Sequence, residues 1–329
     1  MQLGTGTATT SRAAAGAAPG DEPRVTIGQL NAWNVFDTED DPHSRDTVYT
    51  PEQYHARTVK LAGMIARDMG APDVVTLQEI ENERVLQDLI SMPQLAGLGY
   101  HYLVSGKADT RGIRNAILYR STRLTLRSLE EPNPVTTLPP EDPKLIGSDR
   151  LFARASMVAT FGMAGADDAH YAAFTIINNH FKSKLGGDFW EPRRKAQGAF
   201  IGGLVDALHG AEPSIPVFVV GDLNATWNDG AYQSLQRRAD GSARLHDALS
   251  ALPESDRYSY VYRGQKDLLD HLLVTPDMQD AVESVQILHR NTQKDSLKKR
   301  FNSRTTFGTS DHDPIVASIR LGAAAPKQR

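Results

Sequence analysis

Polar side chains close a succession of short apolar runs along this chain. QLNAWN carries Asn31, VVTLQE ends on Glu79, TIINNH ends on Asn179 and His180, and VFVVGDLN ends on Asp222 and Asn224. LLDHLLV holds Asp270 inside its run, and SDHDPIV sets Asp311 and His312 just before one. An apolar or β-branched run ending on a carboxylate, amide or imidazole reads as a buried strand delivering one polar group to a sheet rim. One such case means little. A series from position 31 to 312 implies a single oxygen-rich site holding His180 and His312, assembled from strands distant in sequence. That chemistry suits a hard divalent cation with acid–base help on a phosphate ester.

Dividing the chain would divide this site, so the 329 residues, 40% of them hydrophobic, are read as one domain over 23–321. Residues 1–22 and 322–329 are small, polar and aperiodic, and read as a disordered leader and tail. A secretion signal removed upstream is the alternative for the leader. The absence of cysteine excludes disulfides and thiolate metal sites without fixing the compartment. No apolar stretch approaches the ~18–20 residues of a membrane span.

A formal charge of −4 argues against a protein that coats nucleic acid. Local charge differs: Lys107, Arg111, Arg114, Arg120, Arg123 and Arg127 form one basic segment, and Arg290, Lys294, Lys298, Lys299, Arg300 and Arg304 another. Basic segments on an acidic chain suit a polyanionic substrate. An ordinary solvated surface is the competing reading.

Strands are expected at Val25–Leu30, Val74–Leu77, Ala116–Tyr119, Ala153–Phe161, Tyr171–Ile177, Val217–Val220, Leu268–Val274 and Ile315–Ile319. A helix opens at Pro51 behind a Thr50/Gln53 capping box, shows Leu61, Ala62, Ile65 and Met69 on one face, and closes at Gly70. A second runs from near Pro192 to Gly210 with Ala196, Phe200, Leu204 and Leu208 as its stripe. Residues 128–150 are proline-rich and read as an excursion loop. The mixture points to an α+β layered sandwich rather than a doubly wound parallel sheet.

Each cluster alone has a bland reading. GDLNA is a turn formula as well as a way to aim Asp222 and Asn224 at one phosphate or metal-bound water. SDHDPI could be an Asx turn, or Asp311 could hold a cation while His312 moves a proton. Asp270 inside an apolar run needs a partner, either an ion pair or His312 as an imidazole to orient. His271 faces the other way and reads as structural. His180 has Lys182 and Lys184 close by, which suits a phosphate, and Glu79 is a better ligand candidate than Glu81 because it directly follows its run.

Taken in order, LNAWNVFDTEDDP, NNHFKSK, GDLNA, LLDHLLV and SDHDPI resemble the endonuclease/exonuclease/phosphatase superfamily, which shares the fold of pancreatic deoxyribonuclease. The similarity covers roughly Val25 to Ile319 and is greatest to its bacterial, often secreted, nuclease-type branch. It implies a four-layer α-β-β-α sandwich and a metal-dependent phosphodiesterase site using Mg²⁺ or Mn²⁺, with Ca²⁺ as a second structural ion. Glu79, Asp311 and Asn31 match the metal-binding positions. Asp222 and Asn224 match the pair beside the scissile phosphate, Asp270 the aspartate that orients the base His312, and His180 the histidine on the leaving-group side. Asn115 in GIRNAILYR stands where an acidic partner of that histidine is common, and the cysteines frequent in secreted relatives are missing.

The expected activity is cleavage of DNA with low sequence specificity. Arg114, Asn115, Lys182, Lys184, Lys298, Lys299 and Arg300 are the expected substrate contacts, with no protein partner implied. A sphingomyelinase-like phospholipid phosphodiesterase and a phosphomonoesterase are alternatives on the same fold, although no exposed apolar hairpin stands out for membrane contact. A catalytically silent binding module is the reading from another class.

Overall fold

Two parallel strand pairs, each closed by a helical crossover, frame the computed structural model, which describes residues 22–140, 149–164 and 173–322. The strands in chain order begin with β1 (Arg24–Val35), β2 (Val74–Ile80), β3 (Tyr100–Val104), β4 (Arg114–Arg120), β5 (Leu124–Glu130), β6 (Met157–Met163) and β7 (Ala173–His180). They continue with β8 (Val217–Asp222), β9 (His246–Asp247), β10 (Tyr260–Tyr262), β11 (Gln265–Asp267), β12 (Asp270–Val274), β13 (Val282–Ile287) and β14 (Ile315–Arg320). The α-helices are α1 (Pro51–Gly63), α2 (Glu83–Ser91), α3 (Glu191–Ala211) and α4 (Gly230–Gln236).

Parallel neighbours cannot be joined by a tight turn. α1 therefore bridges β1 to β2, and α3 bridges β7 to β8. Antiparallel strands extend each pair into a 6-stranded sheet, ordered β13-β14-β1-β2-β4-β3 and β5-β6-β7-β8-β12-β9, with β10–β11 as a separate hairpin. Ile27, Val74, Phe161, Phe174, Phe218 and Ile315 fill the space between the sheets. Leu61, Ala62, Leu86 and Leu89 pack α1 and α2 on the outer face of the first sheet. Ile201, Val205, Ala231 and Leu235 do the same for α3 and α4 on the second. The layers are α-β-β-α.

The Thr50 capping box forms in both directions, and the Leu61, Ala62, Ile65, Met69 face is buried. The second helix differs from expectation. Its buried positions are Arg193, Arg194, Gln197, Gly198, Ile201, Gly202 and Val205, while Ala196, Phe200, Leu204 and Leu208 flank the core. The reason is steric: a Cβ on Gly198 would lie 2.1 Å from the Ala231 carbonyl, so the glycines let α4 approach closely.

β6 starts later than Ala153, and β3, β5 and β13 carry no continuous apolar run because sheet-edge strands leave much of their surface in water. Ser128–Glu130 of the expected excursion loop extend β5. Residues 141–148 of that loop, the strand start at 171–172, the leader over 1–21 and the tail over 323–329 lie outside the described residues.

Gly221 is a strand residue rather than a turn. Its φ is +135°, and a Cβ there would meet the Asn179 carbonyl oxygen at 2.0 Å, so only glycine lets β8 run against β7 here.

Behind the turn that follows, His271 Nδ1 lies 2.7 Å from Asp247 and Nε2 lies 2.8 Å from the Ala225 carbonyl. Both acceptors demand a proton, so the buried imidazole is a cation. Burial opposes that charge, but Asp247 outweighs it and raises the His271 pKa above 6.5. Burial likewise opposes ionised Asp247, yet His271 holds its pKa below 3.8. His271 contributes stability fully below its unfolded pKa and loses it as pH rises through the higher folded value; Asp247 contributes above 3.8 and loses it in acid. The pair should therefore stabilise most between about pH 4 and pH 6.5. His271→Gln should lower stability by ~3–5 kcal/mol in that window. Denaturant melts across pH should show the gap to wild type narrowing in alkali.

Candidate active site

The carboxyl ends of both parallel pairs point the same way, and the polar residues that close them meet there. Asn31 sits near the end of β1, Glu79 near the end of β2, His180 ends β7 and Asp222 ends β8. The antiparallel β12 begins at that same end, with Asp270 in register with Asp222. The segment before β14 adds Asp311 and His312. Asn31, Glu79, His180, Asp222, Asn224, Asp311 and His312 line one cleft of about 730 Å³.

Asp222 Oδ2 is the meeting point. It accepts a hydrogen bond from Asn31 Nδ2 at 3.0 Å, and lies 3.5 Å from His180 Nε2 and 3.9 Å from His312 Nε2. Its other oxygen accepts the Asn224 amide at 2.8 Å. His312 Nδ1 lies 2.6 Å from Asp270 Oδ2, which also accepts from Ser259 Oγ, while Gln29 Nε2 donates to Oδ1. Asp222, Asp270 and His312 offer ligand atoms all within 4.8 Å of one another.

The two imidazoles are driven to opposite charge states. Burial, then the Arg154 and Arg111 guanidinium groups, push the His180 pKa well below 6.5. Burial also opposes a charge on His312, but Asp270 and Asp222 overcome it and hold that pKa well above 6.5. Burial in turn raises the Asp222 and Asp311 carboxyls, the latter also through the nearby Glu79.

Glu79 and Asp311 fit a hard cation. Glu79 Oε2 takes the Asn34 amide at 2.9 Å, whereas Oε1, among the described residues, meets Arg111 at 3.7 Å and His180 at 3.9 Å, beyond hydrogen-bond range. Asp311 Oδ1 receives Ser310 Oγ at 3.4 Å. Weakly bonded oxygens on neighbouring carboxylates, with Glu79 raising Asp311, are what an oxygen-seeking divalent ion relieves.

Backbone strain collects at this end of the molecule. Trp33, Asn34, Glu79 and Asn224 hold φ values of 58°, 48°, 63° and 46°, and the β1–β2 and β2–β4 registers both slip beside them. Each such residue costs ~1–3 kcal/mol and persists only when its surroundings over-determine it. Here guanidinium groups do so. Arg57 donates to the Ala32, Trp33 and Thr309 carbonyls. Arg300 stacks 3.9 Å from the Trp33 ring and donates to Trp33 O, Asn34 O and Tyr49 Oη.

Several expected substrate contacts are placed elsewhere. Lys182 and Lys184 line the cleft, but Arg114, Asn115, Lys298, Lys299 and Arg300 do not. Arg114 donates to the Glu81 and Gly112 carbonyls, and Asn115 is buried with its amide on Ala155 O. Lys298 pairs with Asp295 at 2.6 Å, and the Lys299 ammonium sits 5.6 Å from the Phe307 ring. Arg300 turns inward because bulged carbonyls need donors. Sequence reasoning missed Gln29, Ser259, Tyr260, Arg57 and Arg154. Only Gln29 left a signal, standing two residues before Asn31 on the same strand face.

Comparison with known proteins agrees with this architecture. A family model described as "Endonuclease/Exonuclease/phosphatase family" matches residues 26–319. A solved endonuclease/exonuclease/phosphatase family protein from Bacteroides thetaiotaomicron shares 16% identity, with a TM-score of 0.59 over 94% of this chain and 99% of that one. A humanized D. rerio TDP2 gives 16% and 0.57 over 90% and 98%. The human Nocturnin catalytic domain with bound sulfate gives 16% and 0.55 over 90% and 94%. None of the curated proteins compared with the chain matches it.

The opposed charge states are measurable. In metal-free protein at pH 7, ¹⁵N-resolved imidazole spectra should show His180 neutral and His312 doubly protonated. Asp270→Asn should let His312 lose its proton at lower pH than in wild type. Matching titrations of both histidines near 6.5 would contradict the site's electrostatics.

Proposed function

Since the chain belongs to the endonuclease/exonuclease/phosphatase family, we propose that it is a divalent-metal-dependent phosphodiesterase that cleaves DNA with low sequence specificity. The observation that carries this reading is the convergence of His180 and His312 on one Asp222 oxygen beside the Glu79 and Asp311 carboxylates. Glu79 and Asp311, with Asn31 beside them, would hold Mg²⁺ or Mn²⁺. When bound, the ion supplies charge neutralisation at the phosphoryl oxygens and offsets the negative field on His312.

His312, fixed by Asp270 through Nδ1, presents Nε2 to take a proton from the attacking water. His180 stays neutral, so it donates one hydrogen bond to the departing oxygen rather than serving as an acid reservoir. Asp222 and Asn224 orient water and phosphate, and positioning with electrostatics provides most of the rate. Arg111, Lys182 and Lys184 on the cleft wall favour a polyanion.

One observation favours the lipid reading: Leu185 and Phe189, beside the cleft, are 84% and 65% exposed. An assay separates the two. With Mg²⁺ or Mn²⁺ the protein should cut plasmid and linear DNA, stop on chelation, and leave sphingomyelin vesicles intact. His312→Ala should reduce cleavage by ~10²–10⁴-fold while the protein stays folded. Sphingomyelin hydrolysis without DNA cleavage would reverse the assignment.

A further inference from the structure

The cleft is larger than a phosphate and a water require, and its flanks are unlike its floor. On the His180 side, the loop that follows β7 brings Lys182 and Leu185 into the lining. Phe189 packs edge-on against Trp190 at 4.8 Å just beyond. On the His312 side, Tyr260 lies against the imidazole, ring centroids 4.7 Å apart, and its backbone bridges to His312. The β10–β11 hairpin then carries Tyr262, 54% exposed, along the same wall.

Leu185 and Tyr262 therefore present large apolar surface to solvent on the walls of a cleft whose floor is charged. Apolar and aromatic groups that line a cleft are the surface a ligand packs on. The chemistry assigned to the floor makes no use of them. A flat apolar face with a polar edge, covalently attached to a phosphodiester, describes a nucleobase, and aromatic side chains are its usual platform. A membrane is a poorer occupant. The two groups arise from opposite flanks, and Tyr262 shares its wall with Gln265 and Asp267 while the Arg263 guanidinium lies 5.2 Å from its ring. That surface is too interrupted to enter lipid.

Resting on the phosphodiesterase reading above, we propose that Tyr262 and Leu185 form a slot for one unpaired nucleobase next to the scissile phosphate. The preferred substrate is consequently single-stranded or frayed nucleic acid, because a base in a duplex must first leave its stack and its partner.

The test removes the ring and the base separately. Wild type, Tyr262→Ala and Tyr262→Phe are assayed with Mn²⁺ on the dinucleotide TpT and on its two analogues in which one thymidine is abasic. Wild type should lose about ten-fold in kcat/KM on one analogue. Tyr262→Ala should lose a similar factor on TpT and little more on that analogue, and Tyr262→Phe, which keeps the ring, should behave as wild type. Equal losses on base removal in wild type and Tyr262→Ala overturn the slot, as does faster cleavage of a duplex than of its separate strands. Sphingomyelin hydrolysis with no cleavage of any nucleic acid is the separate result that fails the phosphodiesterase-on-DNA reading itself.

Discussion

Buried hydrogen bonds between the two sheets at one end of the sandwich are what the rest of this molecule depends on. Gln29 reaches from β1 to Asp270, Asn31 to Asp222, and Gln78 from β2 to Asn178 at 2.8 Å. Asn178 in turn donates to the Leu77 and Ala116 carbonyls. A buried carboxylate such as Asp270 is tolerable only with partners, and Gln29, Ser259 and His312 supply them. These contacts fix the sheets against each other, since a one-residue slip in β1 would turn Gln29 and Asn31 to the wrong face. The apolar layer of Phe161, Phe174 and Phe218 holds the sheets together without dictating that alignment.

The same end stores strain. The bulge at Trp33 and Asn34 aims an amide at Glu79, and its carbonyls are satisfied by Arg57 and Arg300. Lys60 does similar work for the 302–307 segment, donating to three of its carbonyls, Asn302, Thr305 and Phe307, and burial lowers its pKa to about 8. Part of a segment that looks basic in one dimension is thus internal scaffolding. Its conformation is set by α1, not by a phosphate backbone.

Charge asymmetry between the histidines follows from which neighbours each one meets. His180 lies among Arg154 and Arg111, which already share Asp109, so a proton there has little to gain. His312 lies among Asp270, Asp222 and Asp311. Two imidazoles at one carboxylate oxygen can then differ in proton affinity without any difference in their own chemistry.

The sequence by itself determined the strand cores, the capped start of α1 and the identity of the polar groups at the strand ends. Those are local properties: alternation sets which face a residue takes, and a run's end sets where it emerges. Beyond the Asp270–His312 pair, it left no trace of which groups would touch. The hairpin carrying Tyr260 and Tyr262 and the edge strands β3, β5 and β13 have short or half-exposed patterns that resemble loops. The α3 face depended on how near α4 could come to Gly198. The inward turn of Arg300, the Gln29–Asp270 contact and the opposed states of His180 and His312 were decided by tertiary structure alone. Hydrogen bonds and pKa values depend on distances between segments that only the packing of two bulged sheets brings within ångströms.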